Sequence, residues 1–355
     1  TLTGTINYTV DVFGGERRRV EGLRAQVDVQ CYSLLAAHLT VTGNVVNTAI
    51  ARAAYAEQIH ATEQLVADLD KQVELARLQE QAGTAAYPQV LSLQTQRENT
   101  AASLPALRQQ LAAADATLST LLGYAPAEWR PPRIALSELE LPRELPVSLP
   151  AQLVRQRPDV LIAEGTLHVS SANIGVATAA MFPSFTLSSS AGGESKNLDQ
   201  VLSYGNFVWS FGLDLLAPIF HGGTLNAQRK AAVEDYRSSL ASYRQTVLNA
   251  LADVATSLEA LVHDAQAVAT RRRALDAASQ SRGLVGMNYE AGVASYLDVL
   301  VADTQYRQAR LGLIEAQARR LQDTVALFVA LGGGWWSSGY AVCSEPVRGP
   351  LRALP

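Results

Sequence analysis

The chain has only two cysteines, Cys31 and Cys343, too few for a disulfide framework or a zinc cluster. It has no basic excess: 29 Lys and Arg stand against 33 Asp and Glu, a net charge of −4. With no basic stripe, nucleic acid is set aside as a partner. It has no signal peptide, no initiating Met, and no window that reads as a transmembrane helix; the longest uncharged stretch, 169–193, is rich in Ser, Thr and Ala and broken by Pro183. Catalytic and metal constellations are lacking too. The five histidines (38, 60, 168, 221, 263) show no HExxH or paired-ligand spacing, and no Gly-rich phosphate loop precedes a helix. The expectation is a protein that is not an enzyme and uses no cofactor and no metal.

What the chain does have is a repeat. AGTAAYPQVLSLQTQ begins at Ala82 and AGVASYLDVLVADTQ at Ala291, with eight of fifteen positions identical at an offset of 209. VDVFGG (10–15) and PIFHGG (218–223) each put a Phe and a Gly pair ahead of a long helical run, and LLG (121–123) and ALG (330–332) close the two units. Each unit reads as strand, Phe/Gly corner, long helix, Gly turn, shorter helix, Gly stop. This gives a first repeat over 1–123, a linker over 124–150, a second repeat over 151–333 that opens with a helix and two strands, and a tail over 334–355. The linker holds six of the fourteen prolines, so it reads as an extended belt rather than a packed element.

Apolar residues recur every seven positions at Val233, Leu240, Val247, Val254, Leu261, Val268 and Leu275, with Tyr236, Tyr243, Leu251, Leu258 and Ala265 as alternates. That is a coiled-coil seam. The first run is noisier (Val45, Ile59, Val66, Val73, with Arg52 interrupting), yet no proline breaks it from Gly15 to Gly83. At 1.5 Å per residue each helix is roughly 100 Å long, against a radius of gyration of about 20 Å for a compact chain of this size. A rod or part of a tube is expected. Gly83 and Gly292 suit the left-handed conformation after a helix, Thr84 and Ser295 are candidate N-caps, and Pro88 is tolerated in a first turn.

TINYTVDVF (5–13), PSFTLSSSAGG (183–193) and NFVWSFGLDLL (206–216) alternate apolar and polar residues. Segments of about ten residues with an apolar outer and a polar inner face are the pattern of transmembrane β-barrel strands. A half-buried soluble sheet is the plainer reading of any one of them, but such a sheet needs helices to cover it. Strands supplied by several identical subunits close by symmetry.

The segment 149–192 resembles the central part of the TolC-like outer-membrane factors, in the NodT branch that serves RND-type efflux pumps. The matching motifs are Leu149-Pro150, Arg157-Pro158-Asp159-Val160, Ala163-Glu164, Ile174-Gly175-Val176-Ala177 and Phe182-Pro183-Ser184. Phe13-Gly14-Gly15 and Pro218, Phe220, Gly222 and Gly223 are similar to the family's strand-to-helix corners, and Tyr289 with Ala291-Gly292-Val293 to its second periplasmic tip. The resemblance implies a mainly α fold with transmembrane β: long helical hairpins forming a trimeric α-barrel, joined to a twelve-stranded β-barrel. It implies a passive, gated exit duct in the outer membrane of a Gram-negative bacterium, reaching into the periplasm. The partners it implies are two further copies of the chain, outer-membrane lipid, a periplasmic adaptor and, through it, an inner-membrane pump. The first strand, its preceding helix and a lipid-anchoring cysteine are expected upstream of Thr1. Cys31, inside a helix, is expected to be a buried small hydrophobe.

The same resemblance places a periplasmic gate at Tyr289 and Asp298, the latter as a threefold ring of negative charge. A solvated Asp at a helix N-terminus is the plainer reading of that residue. Gln89 replaces the first repeat's gate acid, Ala294 stands where the family's namesake has Arg, and Val301 where relatives carry another lumenal acid. The usual ion pair between hairpins is therefore not expected. Gly83-Thr84-Ala85 and Gly292-Val293-Ala294-Ser295 are expected to meet the adaptor, against a default of simple turn chemistry. Arg17-Arg18-Arg19 opposes the helix dipole; a solvated face is preferred over contact with lipid phosphates. Arg271-Arg272-Arg273 is expected on a tunnel wall, and Trp129, Trp335 and Trp336 in belt packing. Two alternatives stand beside the duct: a periplasmic coiled-coil adaptor, which would need lipoyl-like β modules and an inner-membrane anchor, and a non-conducting fragment.

Overall fold

The computed structural model describes residues 1–129, 131–139, 155–196, 201 and 203–334. Strand β1 (Leu2–Val10) leads into helix α1 (Gly15–Gln81), followed by α2 (Tyr87–Ala101) and α3 (Ser103–Leu121). After the linker come α4 (Pro158–Ala179), β2 (Ser184–Gly193), β3 (Phe207–Leu216), α5 (Thr224–Glu290) and α6 (Tyr296–Ala330). The linker beyond residue 139 and the tail, with Trp335, Trp336 and Cys343, lie outside the described residues. The long helices α1 and α5 are each 67 residues, and their bounds are 209 positions apart at both ends. The chain divides into two units, one built from residues 1–36 and 155–250, the other from 37–139 and 251–334.

The first unit carries an antiparallel sheet in the order β1-β2-β3. Its register aligns like with like. Tyr8 pairs with Leu187 and Leu187 with Leu213, while Phe185 lies between Val10 and Leu215. One face is therefore apolar. The other holds Thr9 against Thr186, and Ser190 against Ser210 with their hydroxyl oxygens 2.8 Å apart. Among the described residues nothing covers the apolar face: Ile6 is 74% and Trp209 73% exposed. β1 ends at Val10 rather than at Phe13, because Asp11 is recruited by the helix. Its carboxylate accepts the backbone N–H groups of Glu16 at 3.0 Å and Arg17 at 2.8 Å, satisfying donors that a first turn leaves free. Phe13 stacks on Phe182 with ring centres 4.7 Å apart, Gly14 has φ +81°, and Gly222 and Gly223 take φ +56° and +83° at the second corner. Phe220 is left bare there.

Arg17, Arg18 and Arg19 are each engaged within the chain, with Asp11, Glu21 and Glu16 respectively. Arg157 grips Asp159 through two nitrogens, at 3.0 and 2.7 Å. The motif sets the start of α4, where Val160 packs against Ala250, Tyr243 and Val247. Cys31 is half-buried on α1, less enclosed than its reading as a small buried hydrophobe implies. A second correction concerns α1: by composition it contains a window apolar enough to cross a membrane, with mean hydropathy 1.3 and 17% of it buried in the chain. Small and β-branched residues among few charges raise its hydropathy without a continuous Leu run.

In the second unit the sevenfold row holds. Val254 is buried against Leu327, Ala330 and Leu331, with Leu258 and Leu261 alongside. Each such fully buried aliphatic contributes about 1.5–3 kcal/mol. The alternates hold less well: Leu251 is 40% exposed, and Ala265 is exposed. The described part of the linker also packs, where an extended belt was expected. Leu136, in a short helical turn, is buried with Ile50, Ala53, Ala54, Ala61, Ile314 and Ala318. Arg52, the residue that interrupts the first seam, is buried and ties this together. It pairs with Asp115 at 2.5 Å and donates to the carbonyls of Pro132 and Pro131 at 2.9 and 3.3 Å. Trp129 stacks on Tyr124 at 5.3 Å. The first return helix is split at Ala102, where a single helix was expected. Pro105 has no N–H for the Ala101 carbonyl and its ring crowds that group, so α2 and α3 part there.

Candidate functional site

The helical tips lie in the second unit, and their backbones match bond for bond. At the first, Gly83 N–H donates to Glu80 and Thr84 N–H to Gln79, at 2.9 and 2.8 Å. At the second, Gly292 N–H donates to Tyr289 and Val293 N–H to Asn288, at 3.0 and 2.8 Å. This is the Schellman arrangement, and it needs a left-handed residue at its centre. Gly83 and Gly292 supply it, with φ +74° and +76°. Where the return helices start, the tips differ. Ser295 caps α6, and a reciprocal capping box joins its hydroxyl and N–H to Asp298. Thr84 does not cap α2: its hydroxyl donates back to the Gln79 carbonyl at 2.9 Å, and the N-cap of α2 is Ala86, without a side-chain bond. Tip residues Gly83, Thr84, Gly292, Val293 and Ser295 are exposed, Ala85 and Ala294 half-buried.

Above the turns the two hairpins share a core of Leu69, Val73, Ala76, Val90 and Leu93, against which Tyr296 and Leu300 of α6 pack. A ladder of polar contacts crosses beside it. Gln89 donates to the Tyr289 hydroxyl at 2.7 Å, Gln96 to the Thr304 hydroxyl at 3.0 Å, and Arg307 to the Thr100 hydroxyl at 2.9 Å. The strongest link lies one heptad before Tyr289. Arg282 of α5 reaches Asp68 of α1 at 3.0 Å and Asp303 of α6 at 2.7 Å. Gln72 of α1 donates to the second Asp303 oxygen at 2.9 Å, and the guanidinium sits 5.0 Å from the Tyr306 ring centre. Burial works against the Arg282 charge, but the hydrogen bonds it donates to Asp68 and Asp303 outweigh it and raise its pKa. Burial also raises the pKa of Tyr296, helped by Tyr289 and Asp303.

Tyr289 and Gln89 are thus brought together, and Asp298 and Val301 are not part of that contact. Val301 is exposed, and so is Asp298, whose carboxylate accepts from Ser295. The Ser295 hydroxyl, then its N–H, holds the Asp298 carboxyl below the usual carboxylate range. An ion pair between hairpins forms at a different place from positions 89 and 294, from Arg282, Asp68 and Asp303. A signal for it was present: the row Val233 to Leu275 continues, seven by seven, to Arg282 and Tyr289. Polar residues on an otherwise apolar seam mark where it can be unzipped. Among the described residues no group of three or more His, Cys, Asp or Glu could hold a metal ion.

Duplicated helical hairpins and a sheet whose apolar face is bare among the described residues fit one class, that of the outer-membrane channels. The chain belongs to the outer membrane efflux protein family, which it matches over residues 1–124 and 149–333. It is 31% identical over 336 residues to the pyoverdine export outer membrane protein OpmQ of Pseudomonas putida, covering 93% of this chain and 69% of that one. It is 29% identical over 339 residues to nodulation protein T of Rhizobium leguminosarum bv. viciae, covering 93% and 69%. Among solved structures, the outer-membrane channel OprN superposes with a TM-score of 0.88 at 26% identity, over 93% of this chain and 74% of that one. The chain is an outer-membrane efflux channel of the NodT group, in the class that serves tripartite pumps. Its relatives are channels and export proteins, not enzymes.

Proposed function

We propose that the chain acts as a homotrimer, its strands forming part of a twelve-stranded β-barrel in the outer membrane and its hairpins an α-barrel, as a passive duct gated at its tips. Two features support assembly. β1 and β3 each have one unpaired edge, which is not tolerated in lipid unless another strand closes it. Val20, Leu23, Val27 and Leu34 of α1 are all exposed, an apolar row suited to a second copy.

The observation that carries the gate is the Gln89–Tyr289 contact, with Arg282 bridging the hairpins one heptad behind it. Bonds of this kind hold the tips together yet exchange readily with water, so a partner that spreads the helices can open them. The exposed, small tip residues fit a periplasmic adaptor, itself coupled to an inner-membrane RND-type pump. Tyr289 and Gln89 form the closing contact. Asp298, with Val301 one turn on, faces open space, where three copies make a ring of negative charge that favours cations. Single-channel conductance in planar bilayers tests this. Asp298→Ala is expected to raise conductance and relieve block by divalent cations. If neither changes, Asp298 has no part in the constriction.

A further inference from the structure

The arginine run 271–273 takes no part in the tip contacts described above. In the structure Arg272 joins Arg310 and Arg320 around a cavity of about 530 Å³ formed by α1, α5, α6 and residues 136–139. About half of the cavity wall is apolar, with Leu136, Val268, Leu275, Leu313, Ile314 and Leu321. Glu57 is the one acid among its lining residues. Among the described residues, neither Arg272 nor Arg310 makes an ion pair or a side-chain hydrogen bond. Arg320 acts on Asp264 through its charge but makes no ion pair with it. Three guanidiniums, Arg272 exposed and the other two half-buried, therefore line one half-open pocket with one carboxylate. Their mutual repulsion is relieved by an anion, and their planar forks suit carboxylate, sulfate or phosphate oxygens. Partly apolar walls with a few convergent polar groups, at this volume, are the make-up of a small-molecule site.

We propose that this cavity binds a small amphipathic organic anion: one carboxylate, sulfate or phosphate head on the arginines, and an apolar body on the leucine floor. The site lies within single copies of the hairpins, so it stands whether or not the gate works as described above. The test uses the full chain in nanodiscs of phosphatidylcholine, with octyl phosphate as probe and octanol as its uncharged control, followed by calorimetry. Octyl phosphate is expected to bind saturably, one per chain. Binding should weaken at least tenfold in Arg272→Gln and in Arg310→Gln, largely survive in Arg310→Lys, and be unchanged in Arg244→Gln on the exposed part of α5. Octanol should partition without saturating. Uptake of octyl phosphate that does not saturate, or that ignores Arg272 and Arg310, or that falls equally in Arg244→Gln, would overturn the assignment.

Discussion

The first hairpin, α1 with α2 and α3, and the second, α5 with α6, turn through one backbone geometry at Gly83 and Gly292. Side chains then set them apart. The second return helix is continuous for 35 residues, with Ile314 buried at the position that corresponds, 209 residues on, to Pro105. The first is split at that proline. The second start is capped by Ser295 and Asp298; Ala86 and Gln89 stand in their places in the first. The second carries Arg282 and Asp303, where the first has Val73 and Gln94. Duplication preserved what the turn requires of the backbone and freed the side chains for different work. The first repeat became the partner that is gripped, and the second the one that grips.

Exchanging these differences tests the comparison, and the largest effect falls on the return helices. Ile314→Pro puts the first hairpin's break into the second: it removes a helix bond and a buried side chain, and should cost about 3 kcal/mol or more. A Tm within a degree of the parent would mean α6 is not the rigid member. Next is Arg282→Met, which removes one of the two side-chain donors that Asp303 has among the described residues and leaves Gln72. It should loosen the hairpins by roughly 2 kcal/mol, less than a fully buried pair because Arg282 is partly solvated. Faster amide exchange near residues 68–72 and a severalfold higher conductance are the expected readouts. Unchanged exchange would place the grip elsewhere.

A third difference depends on pH. Asp264 of α5 is buried, with one oxygen unpartnered, where the first repeat has Tyr55. Burial, reinforced by Asp323, pushes its pKa up from 3.8 to about 6, while Arg319 and Arg320 act against the rise. The folded chain then holds this proton more tightly than the unfolded chain does. Its contribution to stability is greatest below about pH 4 and is lost as pH rises through about 6. Asp264→Asn should therefore raise Tm at pH 7–8 and leave it unchanged near pH 4; the same Tm shift at both would refute the assignment. The smallest effect is the cap. Ala86→Ser gives α2 the hydroxyl that α6 has, and should stabilise by about 0.5–1 kcal/mol in thermal melts. A loss of stability would show that the first tip needs its uncapped start.

Much of this was legible in the residues, because it obeys local rules. A Gly at fixed distance from a seven-residue row specifies a helix end, and alternation over ten residues specifies a strand with two unlike faces. The site was harder to read. Gln89 and Tyr289 were picked out by resemblance, but Thr84 and Ser295 looked like equal caps, and only the fold shows one oxygen turned back to α1 and the other forward to α6. Arg282 and Arg52 looked like faults in a seam. Their partners, Asp68 and Asp303 for one and Asp115 with the Pro131 and Pro132 carbonyls for the other, come from other elements of the chain.

By itself, then, the amino-acid sequence determined the repeat, the helix lengths, the turns and the two-faced strands, since each follows from steric and solvation preferences within a few residues. Tertiary structure alone decided which polar side chains meet. A charge on a helix face has many partners within reach along the chain, and packing selects among them by what it desolvates and what it leaves in water.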